Sequence, residues 1–462
     1  MNKINSFAAN SPEARDIAYH LHPYTNPNML KENGPQIING GDGIYVTDND
    51  GNKFIEGMSG LWCASFGFGE QELVNAAIAQ MQKLPFYHSF TGKTVNPAID
   101  LAEALIKIAP DGLDKAFFCN SGSEANDTAI KMVWYYHAAK GNPHKKKIIS
   151  RKRSYHGVTI AAASLTALAY AQDGFGLPLD FALHTSSPHY FQDAHDGESE
   201  ADFTARLASD LEAMIAEHGV ENIGGFFAEP LMGAGGVILP PEGYFAAIQP
   251  ILKKHNILLI ADEVICGFGR TGNMWGTETF GLKPDILTCA KALSSAYLPI
   301  SAVLVSAEVA HGVEEQANRL GQFGHGYTYS AHPVPAAVAV RTLQLMEERN
   351  IIDHVRSVAP LFAERVAALN KYDCVGHTRA IGLIGAMEFV GEPNSRVKFD
   401  PSKKFAPQVM KLAHENGVIL RALPLDGIGF CPPLIITEDQ INDMFDRIEA
   451  IMPAADELAK SL

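Results

Sequence analysis

Ala116-Phe117-Phe118-Cys119-Asn120-Ser121-Gly122-Ser123-Glu124 is the stretch that decides the architecture. A short apolar run stops at Cys119, and Ser121 with Glu124 three residues on makes the capping pair that opens a helix. The helix is predicted over 121–139, and a second strand follows from Ile148 to Ser150. Strand, helix, strand in that order builds a parallel sheet covered by helices. Further apolar runs at Gly225 to Ala228, Ile257 to Ala261, Ile286 to Ala290 and Ala302 to Val305 read as buried strands of the same sheet. Upstream, helices are predicted over 70–83 and 97–108, and Ile44 to Thr47 and Lys53 to Ile55 flank an Asn49-Asp50-Gly51 turn, the mark of a β-hairpin. After about residue 340, surface helices mix with strands at 381–390, 418–423 and 427–431. The last helix opens at the capping box Thr437 to Gln440 and lines Ile441, Met444, Phe445 and Ile448 along one face. The expected fold is α/β: a large domain (71–335) around a mostly parallel, helix-covered sheet, and a smaller α+β domain built from both chain ends (1–70 and 336–462).

The balance of charge excludes some functions. With 37 Lys and Arg against 52 Asp and Glu, the net charge of −15 argues against nucleic acid or an anionic membrane as partner. No uncharged apolar stretch reaches the roughly 18 residues of a membrane span. The first thirteen residues lack the apolar core of a secretory signal, so a cytoplasmic protein is expected. Six cysteines without a Cys-x-x-Cys pair read as free thiols, and His184, His189 and His195 lack metal-ligand spacing, so no metal site is expected. Lys145 to Lys147 and Arg151 to Arg153 are expected as solvated faces.

Three sites carry chemistry. The helix opening at Ser121 offers unpaired N–H groups, hydroxyls and a positive helix end, which suits a phosphate; read alone, such a motif is more often a plain cap. Asp262 ends a buried strand and would place its carboxylate in the crevice at the sheet's carboxyl edge, or else cap the next turn. Lys291 ends the following strand, where a surface lysine is the ordinary reading, but burial beside Asp262 would lower its pKa and make it nucleophilic. Phosphate site, carboxylate and lysine together are what pyridoxal 5'-phosphate requires: a Schiff base, a partner for the pyridine nitrogen and a phosphate cradle. Gly267, Gly269 and Gly272 match G-x-G-x-x-G, but a dinucleotide site needs a helix at the glycines and an acid about 20 residues on. Asn273-Met274-Trp275-Gly276 follows instead, so a nucleotide-dependent oxidoreductase is only the runner-up.

Several ordered motifs then coincide: Leu61-Trp62, Asn120 to Asn126, Ser154-Tyr155-His156-Gly157, Ala228-Glu229-Pro230 with Met232 to Gly236, Asp262 to Arg270, Ala290-Lys291, Gly326 to Pro333, and Arg421 before Cys431-Pro432-Pro433. In these the chain resembles the class III (omega) aminotransferases of fold type I, in the amine or β-amino acid:pyruvate group, from about Tyr24 to the final helix. The resemblance implies that Lys291 is the Schiff-base lysine and proton shuttle and that Asp262 partners the pyridine nitrogen. It implies that Ser121, Gly122 and Ser123 hold the phosphate, that Tyr155 and Val264 flank the ring, and that His156 and Glu229 complete the cofactor's surroundings. Thr328 would reach the phosphate of a neighbouring subunit, implying a homodimer with shared sites, or a tetramer. Tyr24, Trp62, Phe90, Val158 and Ala234 would contact the substrate, and Arg421 would bind its carboxylate and swing aside for an uncharged amine. Ala292, Ala296 and Ala331 stand where many relatives have glycine, and Thr91 where some have a second phenylalanine. The implied activity is transfer of an amino group from an amine or omega-amino acid to pyruvate, with a 4-aminobutyrate-type enzyme using 2-oxoglutarate as the nearer alternative.

Overall fold

The computed structural model describes residues 7–462; residues 1–6, part of the stretch read for a leader, lie outside it. A short mixed sheet opens the chain: β1 (Ile38–Asp42), β2 (Tyr45–Asp48) and β3 (Lys53–Glu56), with β2 and β3 forming the expected hairpin. The central sheet follows, from β4 (Leu113–Cys119), β5 (Lys147–Arg151), β6 (Ala182–Thr185), β7 (Ile223–Ala228), β8 (Leu258–Asp262), β9 (Ile286–Cys289) and β10 (Ser301–Ser306), in the order β4-β10-β9-β8-β7-β5-β6. Strands β9, β8, β7, β5 and β6 are parallel neighbours, as expected. β10 is reversed against both β9 and β4. The reason is local: residues 290–300 turn back without the crossover helix that a parallel neighbour needs.

Both faces of this sheet are buried, with side chains alternating between them. Phe227 and Ile260 pack with Ile130 and Val133 of helix Gly122–Ala139. Their neighbours Phe226 and Leu259 face the other way, onto Phe203 and Leu207 of helix Glu200–His218 and Ile248 and Leu252 of helix Tyr244–Lys254. The C-terminal part adds β11 (Val375–Ile381), β12 (Ile384–Phe389), β13 (Val418–Ile419), β14 (Arg421–Leu423) and β15 (Gly427–Phe430). β13 joins β3 in parallel, so both chain ends build the first sheet, while β11-β12-β15-β14 form a third. Helix Glu438–Lys460 carries the predicted capping box, and Met444 and Phe445 are fully buried. Among the described residues no helix is long and apolar enough to cross a membrane.

Three expectations are corrected. The apolar run 381–390 holds the predicted strand as β12 but starts one residue before a hairpin turn from β11 at Gly382 (φ +54°), where a Cβ would lie 2.3 Å from the Arg270 carbonyl. The run 418–423 splits at Leu420 between two sheets. The basic clusters are solvated only in part: Lys146 and Lys152 are exposed, whereas Lys145 is buried and gives its ammonium to the carbonyls of Ile223, His255 and Asn256 at 2.9–3.0 Å, the last two lying where helix Tyr244–Lys254 ends and leaves carbonyls unpaired. Arg151 is wholly enclosed and donates to the Glu229 carbonyl.

Candidate active site

The carboxyl edge of the central sheet gathers the loops that leave β4, β5, β7, β8 and β9, the place where open α/β sheets bind ligands. A cavity of about 140 Å³ there brings together Gly122, Ser123, Tyr155, His156, Glu229, Asp262, Val264 and Lys291, with Asn126, Gly157 and Ile265 added to the residues expected from sequence. A larger hollow of about 850 Å³ lies between helices Asn96–Ile108 and Pro333–Glu348, lined by aliphatic side chains and by acids and bases such as Glu103, Lys107, Asp353 and Arg356, which pair as Lys107–Glu103 and Arg356–Asp353. Size alone does not locate chemistry, and the smaller cavity holds it.

Asp262 is buried at the end of β8, and its charge is shared among three donors. Asn126 Nδ2 and His156 Nδ1 both lie 2.8 Å from Oδ2, and the Val264 N–H reaches Oδ1 at 3.1 Å. A carboxylate only accepts, so His156 donates from Nδ1. Asn126 is fixed in turn: Nδ2 also donates to the His156 carbonyl at 2.6 Å, and Oδ1 accepts from Thr288 at 2.8 Å. Oδ2 is thereby satisfied, while Oδ1 keeps room for one more donor.

Lys291 opens a 3-10 turn after β9 in the left-handed region (φ +50°), a strained backbone of the kind found at functional sites. Burial holds its ammonium below the usual lysine pKa, and the charges of Asp262 and Glu229 pull the other way. Burial likewise raises Glu229, whose two oxygens accept the backbone N–H groups of Tyr155 (3.0 Å) and Gly233 (2.9 Å). Glu229 thus ties together two segments of the wall.

Ser121 caps helix Gly122–Ala139 by accepting from the Glu124 N–H at 3.2 Å. The reciprocal half of the box is displaced by one residue, because Glu124 accepts from the Asn120 N–H at 2.7 Å. The first helical N–H groups, at Gly122 and Ser123, have no intrahelical partner and open on the cavity. Ser123 Oγ accepts from the Val158 N–H at 3.0 Å and keeps its own proton to donate. Opposite stands Gly157 (φ +128°), where a Cβ would lie 2.4 Å from Ser123 Oγ, so only glycine leaves this cradle open. An anion cradle, a carboxylate with one open acceptor position and a lysine in one cavity fit a phosphorylated pyridine aldehyde.

The other predicted residues are less gathered. Ser121 is exposed and is not among the residues that line the cavity, and Thr328 is exposed on a loop that Tyr327 anchors by donating to the Glu124 carbonyl at 3.2 Å. Phe90 and Val158 are exposed, Phe90 lying beside Gly326 of that same loop. Trp62 is buried in an apolar cluster with Leu231, Val237, Ile265 and Leu423, just behind the wall, and Ala234 is buried on the adjoining turn. The Tyr24 hydroxyl lies 3.3 Å from that of Tyr155, and Tyr24 meets Tyr170 edge to face. Arg421 begins β14, paired with Gly429 of β15, and its charge reaches Tyr155 and Tyr170. Burial and the Tyr24 hydroxyl raise Tyr155, and burial pushes Tyr170 up to about 12. Among the described residues no carboxylate lies within 4.0 Å of Arg421.

Sequence reasoning missed Asn126, Thr288 and Tyr170. Asn126 carried a signal: it sits four residues from both Gly122 and Ile130, on the buried face of its helix. Of the three alanines standing for glycine, Ala296 (φ +64°) and Ala331 (φ +58°) occupy the left-handed region that glycine prefers, while Ala292 does not.

The glycines at 267–272 open no helix. Arg270 turns inward to donate to the carbonyls of Leu383 (2.8 Å) and Pro432 (2.6 Å), and the helix that starts at Gly276 has its N–H groups capped by Glu263 at 2.6–2.9 Å. An acid fills the place a dinucleotide's pyrophosphate would need. His189 pairs with Glu388, whereas Asp16, His20 and His22, unremarked in the sequence, bring three ligating atoms within 4.8 Å of one another with both Asp16 oxygens bonded to the rings.

Comparison with known proteins agrees with this geometry. The family described as "Aminotransferase class-III" matches residues 29–452. An uncharacterised aminotransferase of Sinorhizobium fredii is 43% identical over 95% of this chain and 96% of its own. Gamma aminobutyrate transaminase 1 of Solanum lycopersicum is 45% identical over 92% of this chain and 82% of its own. Among solved structures, the omega transaminase of Pseudomonas jessenii in complex with PMP superposes with a TM-score of 0.96, at 46% identity, covering 97% of this chain and 99% of that one. This chain belongs to the class III aminotransferases, enzymes of fold type I that work with pyridoxal 5'-phosphate.

Proposed function

We propose that the enzyme moves the amino group of an amine or omega-amino acid to pyruvate, releasing an aldehyde or ketone and alanine. The observation that carries this reading is Arg421, a guanidinium near Tyr155 and Tyr170 without a carboxylate of its own among the described residues. Guanidinium binds a carboxylate through two parallel hydrogen bonds, which suits an acceptor with one carboxylate beside its carbonyl. In the alternative reading 4-aminobutyrate passes its nitrogen to 2-oxoglutarate; the name of the Solanum lycopersicum relative supports 4-aminobutyrate as donor and is silent on the acceptor.

Bound pyridoxal 5'-phosphate supplies the electron sink that lets a proton leave the carbon bearing the donor nitrogen. The Gly122 and Ser123 N–H groups and the Ser123 hydroxyl would hold the phosphate, with Tyr155 and Val264 lining the place for the ring. Asp262 Oδ1 would accept the ring nitrogen's proton, and Asn126 and His156 fix the carboxylate for that task. Burial holds Lys291 below the ordinary lysine pKa, which favours the neutral amine that takes the proton and returns it. Tyr24 and Trp62, with Phe90, Val158 and Ala234, shape the donor side. Thr328, exposed on its own chain, serves the phosphate site of a second copy, which makes the working unit a homodimer.

Arg421→Ala tests the proposal. Cofactor amination by 1-phenylethylamine, which has no carboxylate, is expected at near-normal rate. The return half-reaction with pyruvate loses a charged hydrogen bond of about 2–3 kcal/mol, roughly a hundredfold in affinity. Equal losses in both halves refute the role of Arg421, and faster turnover with 2-oxoglutarate than with pyruvate in the unaltered enzyme refutes the acceptor.

A further inference from the structure

The turn Met232 to Ile238, which carries Ala234, closes on itself through backbone hydrogen bonds yet contains a strained corner. Val237, a β-branched residue, sits in the left-handed region (φ +51°), where such side chains are genuine outliers. Gly235 passes so close to the chain at Arg153 that a Cβ would lie 2.0 Å from that carbonyl, and Gly233 so close to Ile265 that a Cβ would lie 2.5 Å from its Cδ1. Ile265 lines the cavity. A strained turn pressed against the wall needs something to hold it there.

Two buried charged groups do so from opposite sides. Glu229 accepts from the Gly233 N–H at 2.9 Å. Arg379, on β11, donates Nε to the Val237 carbonyl at 2.7 Å and Nη2 to the Gly236 carbonyl, so its planar fork spans both carbonyls of the strained corner. Its remaining nitrogen, Nη1, bonds to Glu388 of β12 at 2.8 Å. Glu388 is fully buried and also accepts from Lys398 (2.5 Å) and pairs with His189 (2.8 Å), so the fork is held by an anion that is itself fixed. We infer that Arg379 is a positioning residue for donor specificity: its fork holds the Gly236 and Val237 carbonyls and so sets how close Ala234 stands to the donor's smaller substituent.

This inference rests on the donor-side reading of Ala234 above, and the test separates the two. In Arg379→Met, Glu388 keeps Lys398 and His189 as partners, so no buried charge is orphaned. Two readouts are taken on the holoenzyme. Amide hydrogen exchange follows Gly236, Val237 and Ile238, whose N–H groups bond within the turn to Gly233 and Met232. The ratio of kcat/KM for 1-phenylethylamine over 1-phenylpropylamine follows the room for one extra methylene, which a tight pocket rejects by roughly 10- to 200-fold. Arg379→Met is expected to speed exchange in the turn at least tenfold and to reduce the ratio at least fivefold, with cofactor retention and visible spectrum unchanged. Unaltered exchange in the turn overturns the inference, as does an equal loss for both amines accompanied by loss of cofactor. If Arg379→Met does not fold, Arg379→Lys decides: it keeps the charge for Glu388 but cannot span two carbonyls, so exchange at least threefold faster supports the fork and unchanged exchange overturns it. If the unaltered enzyme accepts neither amine, the donor reading fails and the turn is judged by exchange alone.

Discussion

Replacing Asp262 by asparagine changes one atom, and the structure says which contacts that atom must break. Oδ2 receives Asn126 Nδ2 and His156 Nδ1, each at 2.8 Å, and Oδ1 receives the Val264 N–H at 3.1 Å. An asparagine that puts its NH₂ at the Oδ2 place would face two donors. Put at the Oδ1 place it faces only Val264 from the protein, so the second orientation is expected and the fold survives with one lost hydrogen bond, about 1–3 kcal/mol. That orientation also aims the NH₂ at the proton on the ring nitrogen, which then has no acceptor. Removing one partner of a buried ion pair costs about 3–5 kcal/mol. At 1.36 kcal/mol per decade this is roughly 10² to 10⁴ in rate. The assay is single-turnover amination of the bound cofactor by saturating 1-phenylethylamine, followed by absorbance, with cofactor content measured on the same sample. Asn126→Ala is the comparison, since it loosens the carboxylate but leaves its charge, and about tenfold is expected. A rate for Asp262→Asn within threefold of the parent, on a fully loaded protein, would show that the carboxylate only braces its neighbours.

Lys291→Ala is expected to reduce steady-state alanine formation to background, because no other amine lines the cavity; retained turnover refutes its assignment. Burial pushes Glu263 from 4.5 up to about 7, so the stability it contributes is full below about 4.5 and lost as pH rises through about 7, while buried His137, His325 and His377, pushed down from 6.5 to about 4, work in the opposite direction. The difference in thermal stability between Glu263→Gln and the parent is therefore expected to change with pH between about 4.5 and 7 in favour of the variant, and a pH-independent difference counts against it. Ala331→Gly and Ala296→Gly relieve left-handed strain of roughly 1–2 kcal/mol, offset by about 0.5–1 from glycine's backbone entropy, so the denaturation midpoint should rise slightly; a lower midpoint in both would contradict this.

How much of this could be seen in the chain follows from where each residue sits. Asp262 and Lys291 end apolar runs, and the end of a buried strand is a position that periodicity reports directly, so their meeting in one cavity was legible. Asn126 was half-visible, a polar residue on an apolar helix face. Lys145 and Arg151 were opaque for the opposite reason: a run of charges reads as surface, and only the fold shows that Lys145 meets the carbonyls at a helix end and that Arg151 lies enclosed behind Glu229. Gly382 hid a hairpin because the apolar pattern runs on through it, and nothing in the run tells that the chain reverses beneath Arg270.

The third sheet shows why the specificity determinants were the hardest to read. Arg421 lies on β14, which pairs with β15, which pairs with β12, where Glu388 holds the Arg379 fork. The residue proposed to bind the acceptor's carboxylate and the pair proposed to place the donor wall therefore hang on one antiparallel sheet, four strands wide, whose two halves are separated in sequence by the helix Phe405–Glu415. A displacement of that sheet would move both together, whereas Lys291 and Asp262 stay on the central one. The proposed chemistry and the proposed selectivity are thus carried by different sheets, and a change of substrate is to be sought on the third sheet without disturbing the central one.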